Sequence, residues 1–520
     1  AAWAGGGAPA ATAPGFPDGV AAGEVRATSV LLWTRAPAPG PLRLEVARSA
    51  SFAGALVRSA RARTGGDLTV TVPVRGLAPG TAYRYRFRQG DLSSEAGSFR
   101  TAPAASADAP VRFALSGDAD ATRRPDGRPA FDRFEVYAAM AAERNDFNVN
   151  LGDTIYSDSG VAGAVFARTV AQKREKYRLA LSLPALRRLR ASAGLYSHWD
   201  DHEFVNDFSR PEHGEALYRA GVRAFADYAP VAYRPDTGLY RRVRWGRHLE
   251  LFFLDARSFR SAKATAACGG DLAPTVPAAL RGSVATLAPA LARPVPAACL
   301  EELASPRRTM LGAAQLAAFE RDLRASTATF KVVVNEVPLL QLYVLPYDRW
   351  EGYAAERARL LELLQTVENV VVLTTDAHAH LVGELRTRTL EPPAPVGTGV
   401  WEVVTGPVAT NTYGREIERF LGAPGSAALV TALFFTPPPP RGLGLACVNV
   451  DQPGYAQVTV TARTLTVTPK TPPAAAWSAP PGGRARRSSC APRSRPQPAV
   501  GSGTRWKSAS SASAPARCWS

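Results

Sequence analysis

Residues 196–203 read YSHWDDHE and follow directly on the apolar, strand-like residues ASAGL (191–195). Two adjacent aspartates, a histidine and a glutamate therefore stand at the end of what the pattern predicts to be a buried strand. A charge taken out of water is costly unless it is paired or bound to a metal. Either this stretch is a solvated turn, or a cation lies beside it.

Three other apolar runs also end in acidic residues. They are VRFALSGD (111–118), FNVNLGD (147–153) and VVVLTTDAH (370–378). Each alone could be a solvated turn, but the loops at the carboxyl ends of the strands of an open α/β sheet form one crevice. The four runs together predict a converging set of side chains: Asp118, Asp153, Asp200, Asp201, Asp376 and His378.

Such a set predicts a metal centre. Carboxylates a few ångströms apart repel one another and raise one another's pKa, so their convergence requires a cation. A donor set rich in oxygen and poor in histidine suits hard ions such as Ca²⁺, Mg²⁺, Mn²⁺ or Fe³⁺. Tyr156 lies three residues after Asp153, and a tyrosinate ligand would favour Fe³⁺.

The chemistry expected of this centre is the hydrolysis of phosphate esters. Two metal ions about 3.5–4 Å apart clamp a phosphoryl group and lower the pKa of a water molecule that attacks it. Asp153 is the candidate bridging ligand, because Gly152 before it lets the backbone approach closely. His202 and His378 are candidates for ligands or for the proton donor to the leaving oxygen.

The chain divides into regions of different pattern. Residues 1–14 are expected to be flexible, and residues 15–102 alternate apolar and polar residues between Pro/Gly turns, which predicts a small β-sandwich. From 111 to 470, strand-like runs alternate with helical patterns, which predicts an α/β domain around a buried sheet. Residues 471–520 are rich in Ala, Pro, Ser and Arg, which predicts a disordered basic tail. Composition does not distinguish a natural tail from the out-of-frame product of a GC-rich gene.

Charge and hydropathy restrict the partners. The net charge is +17, but eight basic residues and no acidic ones lie in the tail, and the remainder is spread without a dense basic helix. We therefore expect no specific nucleic-acid partner. The chain has no uninterrupted apolar run of about 18 residues, so no transmembrane segment is predicted. The first residues resemble the mature side of a cleaved export signal, and no signal peptide is recognisable in this chain.

Five cysteines are present, and none has a spacing typical of a zinc site. Cys268 and Cys299 bracket a stretch rich in Pro, Ala and Gly. In an oxidising compartment they could close this stretch as a disulfide. The alternative is that they are two unrelated thiols.

These motifs resemble those of the PhoD-like alkaline phosphatases/phosphodiesterases, which are calcineurin-like metallophosphoesterases. The matching stretches follow one another in order over about residues 15–465: FPDGVAAGEVRATSVLLWTRA, GDTIY, HWDDHE, LFFLDARSFR, MLGAAQLAAFERDLRAS, FKVVVNEVPL, WEGYAAERARLL and VVVLTTDAH. The resemblance implies an exported enzyme in which an Fn3/Ig-like domain precedes a four-layer αββα catalytic domain. It implies cleavage of phosphomonoesters and phosphodiesters with iron and calcium. Mn²⁺ and Zn²⁺ are further candidates for the predicted metal centre. The ligands it implies are Asp153, Tyr156, Asp200 and/or Asp201, Asp376 and His378.

The chain departs from the family at one ligand position. Many members have a cysteine where this chain has Asp118. A carboxylate makes the site harder than a thiolate does, so the departure leaves the identity of the metal open. Asp200 and Asp201 would point to opposite faces if they still lay in a strand, in which case only one of them would bind a given metal.

Four further residues carry competing hypotheses. Arg257 and Arg260 follow a predicted strand, and one of them could bind a substrate phosphate through two parallel hydrogen bonds or form a structural ion pair. Asn335 ends another strand and could be a ligand, a phosphate donor or a cap. Trp199 is expected in the core rather than as a platform for substrate.

The leading functional hypothesis is a secreted or cell-surface metallophosphoesterase, expected to be a monomer, that acts on esters of small molecules or phospholipids. One alternative is a phospholipase D-like diesterase that cleaves lipid headgroups. The other is a cell-surface protein that binds metal without catalysis.

Overall fold

The computed structural model describes residues 15–269, 293–343, 346–432 and 437–472. The predicted flexible N-terminus and, apart from residues 471–472, the predicted basic tail lie outside these residues. The strands are β1 Val20–Gly23, β2 Ser29–Arg35, β3 Gly40–Ala47, β4 Leu56–Ala62, β5 Thr69–Arg75, β6 Ala82–Gln89, β7 Leu92–Ser93, β8 Gly97–Arg100, β9 Val111–Ser116, β10 Phe147–Leu151, β11 Gly194–His198, β12 Arg241–Trp245, β13 Leu249–Phe253, β14 Phe330–Val334, β15 Val370–Thr374, β16 His380–Arg388, β17 Val396–Val404, β18 Cys447–Asn449, β19 Tyr455–Val460 and β20 Leu465–Lys470.

The helices lie mostly between these strands, as the alternating pattern predicts. They are α1 Glu135–Ala142, α2 Val170–Leu181, α3 Pro184–Ser192, α4 Arg210–His213, α5 Glu215–Tyr228, α6 Thr265–Cys268, α7 Ala297–Leu303, α8 Ala313–Arg324, α9 Ala354–Gln365, α10 Tyr413–Leu421 and α11 Ser426–Val430. Among the described residues, none of these helices has the length and apolar character needed to span a bilayer.

Two large sheets form the body of the molecule. One has the strand order β20-β19-β9-β10-β11-β1-β2-β5, and the other has the order β12-β13-β14-β15-β17-β16-β18. Strands β9, β10 and β11 are parallel, as are β13, β14, β15 and β17. The carboxyl ends of the parallel strands in each sheet therefore meet at one edge, where the acidic residues follow them.

The sheets pack face to face between two layers of helices. Phe147 and Tyr196 of one sheet contact the other sheet, with ring centroids 4.5 Å from Trp245 and 5.7 Å from Phe253, respectively. The outer face of the first sheet packs on α2, α3 and α5, and that of the second packs on α8 and α9. This arrangement confirms the predicted αββα fold. It also explains the continuous apolar runs, because a strand covered on both faces is apolar at every position.

The N-terminal all-β region is joined to the α/β region through a shared sheet. Strand β1 pairs in parallel with β11, and β2 and β5 continue the same sheet outward. The remaining strands of this region form a five-stranded sheet, in which β4, β3, β6 and β7 follow one another and β8 also pairs with β6. Across the junction, Glu24 and Arg241 form an ion pair of 2.7 Å whose side chains are both almost fully buried. The domain bounds expected from the sequence remain a prediction.

Cys268 and Cys299 form a disulfide. Both sulfurs lie in a small apolar cluster with Val295, Leu303 and Tyr347. The first of the two alternatives for these cysteines is therefore confirmed. Residues 270–292, most of the stretch between them, lie outside the described part of the chain.

Candidate metal centre

The acidic residues lie in sharp turns directly after their strands. Asp118, Asp153 and Asp376 all have positive φ, at 60°, 50° and 65°, a conformation that only tight turns normally require. Gly152 has a φ of 81°, and a Cβ built on it would lie 2.5 Å from the Cβ of Asp200. No larger residue fits there, so glycine allows the loops carrying Asp153 and Asp200 to touch.

Three overlapping clusters of donor atoms result. The first comprises Asp118, Asp153 and His378; the second comprises Asp153, Asp201 and His202; and the third comprises Asp200, Asp201 and Asp376. Within each cluster the ligand atoms lie within 4.8 Å of one another. Asp153 belongs to the first two clusters and Asp201 to the last two. Asp153 thus lies where a bridging ligand would be placed.

Asp200 and Asp201 belong to the same cluster. Strand β11 ends at His198, two residues before Asp200, so the alternation of a strand no longer applies at these positions. Both carboxylates can therefore turn toward Asp376.

The buried carboxylates fit a cation. Both carboxylate oxygens of Asp118 and one of Asp200 are buried without a hydrogen-bond partner among the described residues. Burial raises the pKa of Asp118 well above its ordinary value, and the carboxylates of Asp376 and Asp201 raise it further. Burial also raises the pKa of Asp153, as do Asp201 and Asp200. A bound cation reverses this effect, because it favours the ionised form.

The metal-free protein is therefore expected to lose stability as the pH rises. The pKa values of Asp118 and Asp153 are higher in the folded chain than the value of about 3.9 expected in the unfolded chain. The unfolded chain then releases protons that the folded chain keeps, so stability is full below that pH and is lost as the pH rises. We expect the Tm of chelated protein to fall as the pH rises from about 4 through the raised pKa values of these two carboxyl groups, and added Ca²⁺ or Mn²⁺ to reduce the fall. A Tm insensitive to both would contradict the assignment.

Tyr156 lies beside the first two clusters, where it contacts His378 of the first and His202 of the second. The Tyr156 hydroxyl is 3.3 Å from Nε2 of His378, and its ring stacks on the His202 imidazole with centroids 4.0 Å apart. Nδ1 of His202 lies 2.6 Å from a carboxylate oxygen of Asp158. Burial lowers the pKa of His202, but Asp201 and Asp158 outweigh it and raise the pKa to about 9. Asp158 orients the imidazole, and the sequence analysis did not identify it although it lies shortly after Asp153.

Arg257 is fully buried among carboxylates. Its guanidinium donates to Asp200, to both oxygens of Asp348 at 2.8 and 2.9 Å, and to Asp376 at 3.1 Å. Burial raises the pKa of Asp348, but Arg257 and Arg260 outweigh it and lower the pKa to about 2. Asp348 therefore remains ionised and ties Arg257 to the third cluster. Of the two hypotheses for Arg257, substrate binding or a structural ion pair, these contacts correspond to the ion pair.

Glu203 links the loop that carries Asp153 to the loop that carries Asp200. Its carboxylate accepts hydrogen bonds from the backbone N–H groups of Asp153 at 3.2 Å, Thr154 at 2.6 Å and Asp200 at 2.8 Å. The glutamate of HWDDHE thus positions the two aspartates rather than belonging to any of the three clusters. Its distance in sequence from Asp153 gave no indication of this contact.

The remaining candidates lie around the centre. Arg260 donates to the Tyr353 hydroxyl at 2.9 Å and pairs with Asp348 at 3.0 Å. The amide nitrogen of Asn335 donates to the Val337 carbonyl, and its Oδ1 is buried without a hydrogen-bond partner among the described residues. Trp199 is fully buried, as expected, and its indole N–H donates to Asp255 at 3.1 Å.

Comparison with known proteins relates the chain to one family of phosphatases. Residues 127–468 match the family model described as PhoD-like phosphatase, and residues 2–103 match that of the PhoD-like phosphatase N-terminal domain. Alkaline phosphatase D of Bacillus subtilis (strain 168) is 27% identical over 420 residues, which cover 71% of this chain. The match spans 65% of the length of that relative.

Two solved structures share the fold. A structure described as that of PhoD has a TM-score of 0.69 and 23% identity, with 89% of this chain and 87% of the other covered. The purple acid phosphatase PPD1 from yellow lupin (Lupinus luteus) seeds has a TM-score of 0.52 and 11% identity, with 87% and 71% covered.

Proposed function

Because the chain belongs to the PhoD-like phosphatase family, we propose that it is a secreted metal-dependent phosphoesterase that hydrolyses phosphomonoesters and phosphodiesters by attack of water on phosphorus. The observation that carries the proposal is the sharing of Asp153 and Asp201 between adjacent donor clusters. Shared carboxylates are how a protein holds cations close enough to act on one phosphoryl group.

We assign the ligands by cluster. Asp118, Asp153 and His378, with the nearby hydroxyl of Tyr156, would hold one ion, and Asp201 would extend the set around Asp153, with the His202 imidazole beside it. Asp200 and Asp376, with Asp201, would serve a further position. When bound, the ions supply positive charge for the phosphoryl oxygens and lower the pKa of a water molecule. Ca²⁺ and Fe³⁺ are the proposed ions, and Mn²⁺ or Zn²⁺ would also suit this set of carboxylates and imidazoles.

Residues of the chain itself would supply a proton donor and a positive charge beside the phosphate. His202 has a pKa of about 9, raised against its burial by Asp201 and Asp158, so its imidazolium can donate a proton to the leaving oxygen at neutral pH. Asp158 holds the ring through Nδ1 and leaves Nε2 directed elsewhere. Arg257 supplies a permanent positive charge that the carboxylates of Asp200 and Asp348 fix in place.

Asp158→Asn is expected to lower kcat/KM for a phosphate ester by roughly 10–100-fold, the usual effect of losing a carboxylate that orients a metal-site histidine. The amide is nearly the same size but removes the charge that favours the imidazolium. Steady-state kinetics with a soluble ester, at saturating metal, measures this change. The exposed Asp126 offers a control, since Asp126→Asn should leave the rate unchanged. A kcat/KM for Asp158→Asn equal to that of the control would show that Asp158 does not contribute to turnover.

Export is supported by the disulfide between Cys268 and Cys299, because such bonds form and persist in oxidising compartments. The partner we propose is the phosphate ester itself.

The test of the proposed activity is the hydrolysis of two chromogenic esters, p-nitrophenyl phosphate and bis-p-nitrophenyl phosphate, by the purified chain. Turnover of both would support activity on monoesters and diesters, and the ratio of the two kcat/KM values gives the preference. A folded protein, judged by its thermal transition, that hydrolyses neither ester in the presence of added metal would contradict the proposal.

A further inference from the structure

The outward face of the five-stranded N-terminal sheet carries a concentration of arginines. On β3 and β6 the side chains that point inward, such as Leu44 and Phe87, are buried in the core, so the alternate residues point outward. The outward residues include the set that we call the arginine face: Arg43 on β3, Arg61 on β4, and Arg84, Arg86 and Arg88 on β6.

The register brings these arginines side by side. Arg43 lies directly opposite Arg88 across the β3–β6 pair, and Glu45 lies opposite Arg86. Directly opposed residues are about 5 Å apart, and like charges at that spacing destabilise a sheet. The Arg43–Arg88 pair therefore costs stability, and folding alone gives no reason for it.

Few acidic groups compensate this charge. Glu45 is the single acidic residue at the outward positions of β3, β4 and β6, and it is buried between Arg43 at 3.5 Å and Arg86 at 2.8 Å. Arg61, Arg84 and Arg88 are exposed. Residues 15–103 contain twelve arginines, no lysine and six acidic residues, which leaves a net charge of +6. Most of the excess positive charge outside the tail therefore lies in this region.

From this arrangement we propose that the arginine face is a docking surface for an anionic lipid membrane. The face belongs to one antiparallel sheet, in which Arg43, Arg84, Arg86 and Arg88 lie on neighbouring strands, so several guanidinium groups can meet a layer of phosphates at once, and guanidinium binds phosphate through two parallel hydrogen bonds. Each cationic residue near an anionic bilayer contributes to binding. The proposal does not depend on the activity of the metal centre.

A single-stranded nucleic acid suits the face less well. Such ligands bind where bases stack on exposed aromatic rings within a basic groove. The outward positions of β3, β4 and β6 hold no aromatic residue. The nearby ring of Phe52, in the β3–β4 loop, is covered by the guanidinium of Arg86, 4.2 Å from its centroid. The arginine face therefore offers positive charge but no exposed aromatic ring. This suits a layer of lipid phosphates better than it suits a nucleic acid.

The test is sedimentation of the full chain with vesicles of phosphatidylcholine alone or mixed with phosphatidylglycerol, at low and high salt. The variant Arg43→Gln/Arg84→Gln/Arg88→Gln removes three charges from the face. Each lost charge is expected to weaken partitioning about fivefold, so the triple variant should bind mixed vesicles roughly 100-fold less well. Residues 473–520 are identical in all these proteins, so any binding by the tail cancels in the comparison.

The matched control is Arg219→Gln/Arg321→Gln/Arg359→Gln, which removes three exposed arginines from the helices α5, α8 and α9. It should bind mixed vesicles as the unaltered chain does. Hydrolysis of a soluble ester and the Tm report on folding, and the Tm of the face variant should not fall, because the opposed pair is relieved. A variant with lysine at the same three positions provides a second check, since it keeps the charge and should keep the binding.

Three results would overturn the proposal. The first is an unaltered chain that does not bind the mixed vesicles. The second is equal binding by the face variant and the control. The third is a face variant that loses binding to heparin or an oligonucleotide but keeps its binding to vesicles, which would assign the face to a soluble polyanion.

Discussion

Asp153→Asn is expected to lower kcat/KM for phosphate esters by roughly 10³-fold or more while the protein remains folded. Asp153 contributes to two of the three donor clusters, so the substitution removes a negative charge from both sets of ligands. One of its oxygens also accepts the backbone N–H of His202 at 3.1 Å, and the amide oxygen of asparagine can still accept it. The substitution should therefore weaken metal binding and leave the backbone turn at residue 153 intact.

The measurement compares kcat/KM, bound metal per chain and Tm for Asp153→Asn and for a control at the exposed Asp236. Asp236→Asn should match the unaltered chain in all three. Asp153→Asn should reduce bound metal together with activity. Near-normal activity with a full complement of metal in Asp153→Asn would remove Asp153 from the bridging role.

A chain that begins at residue 104 is expected to have neither a cooperative thermal transition nor activity. Removal of β1 exposes the edge of β11, the strand that leads into the HWDDHE segment. It also leaves the buried Arg241 without Glu24, and an unpaired buried charge is strongly destabilising. The apolar core between the large sheets is continuous with that of the N-terminal sheet, so much of it would become exposed. Circular dichroism melting and ester hydrolysis measure the outcome.

A point variant tests the same junction without a deletion. A Cβ on Gly23, in β1, would lie 2.3 Å from the carbonyl oxygen of Pro230. Gly23→Ala should therefore destabilise the fold by about 1–3 kcal/mol, the usual cost of overpacking. Gly65→Ala is the matched control, because a Cβ there would meet nothing within 4 Å. An active chain lacking residues 1–103, or a Gly23→Ala variant as stable as the control, would show that the catalytic region does not depend on the junction.

The four apolar runs that end in acidic residues were the most informative feature of the sequence. Continuous apolar runs predict strands buried on both faces, and parallel order brings their carboxyl ends together. Asp118, Asp153, Asp201 and Asp376 consequently lie in one centre, as the sequence predicted. Gly152 also indicated the close approach of two loops.

Other parts of the site had no local pattern. Asp158 and Glu203 act through contacts 44 and 49 residues away in sequence, and Asp348 contacts Arg257 across 91 residues. Such contacts follow from how loops of different strands meet, which neither spacing nor periodicity encodes. The junction of β1 with β11 was missed for a similar reason, since the four residues VAAG of β1 are too short to indicate a partner.

The most direct test of the account is the metal dependence of ester hydrolysis. The purified chain is stripped with a chelator until it holds well under one ion per molecule, and bis-p-nitrophenyl phosphate hydrolysis is measured before and after Ca²⁺, Fe³⁺, Mn²⁺ or Zn²⁺ is returned separately or in pairs. We predict that stripping abolishes turnover and that one or more of these ions restores it. Turnover that persists undiminished in the stripped protein would contradict a metal-dependent phosphoesterase at this centre.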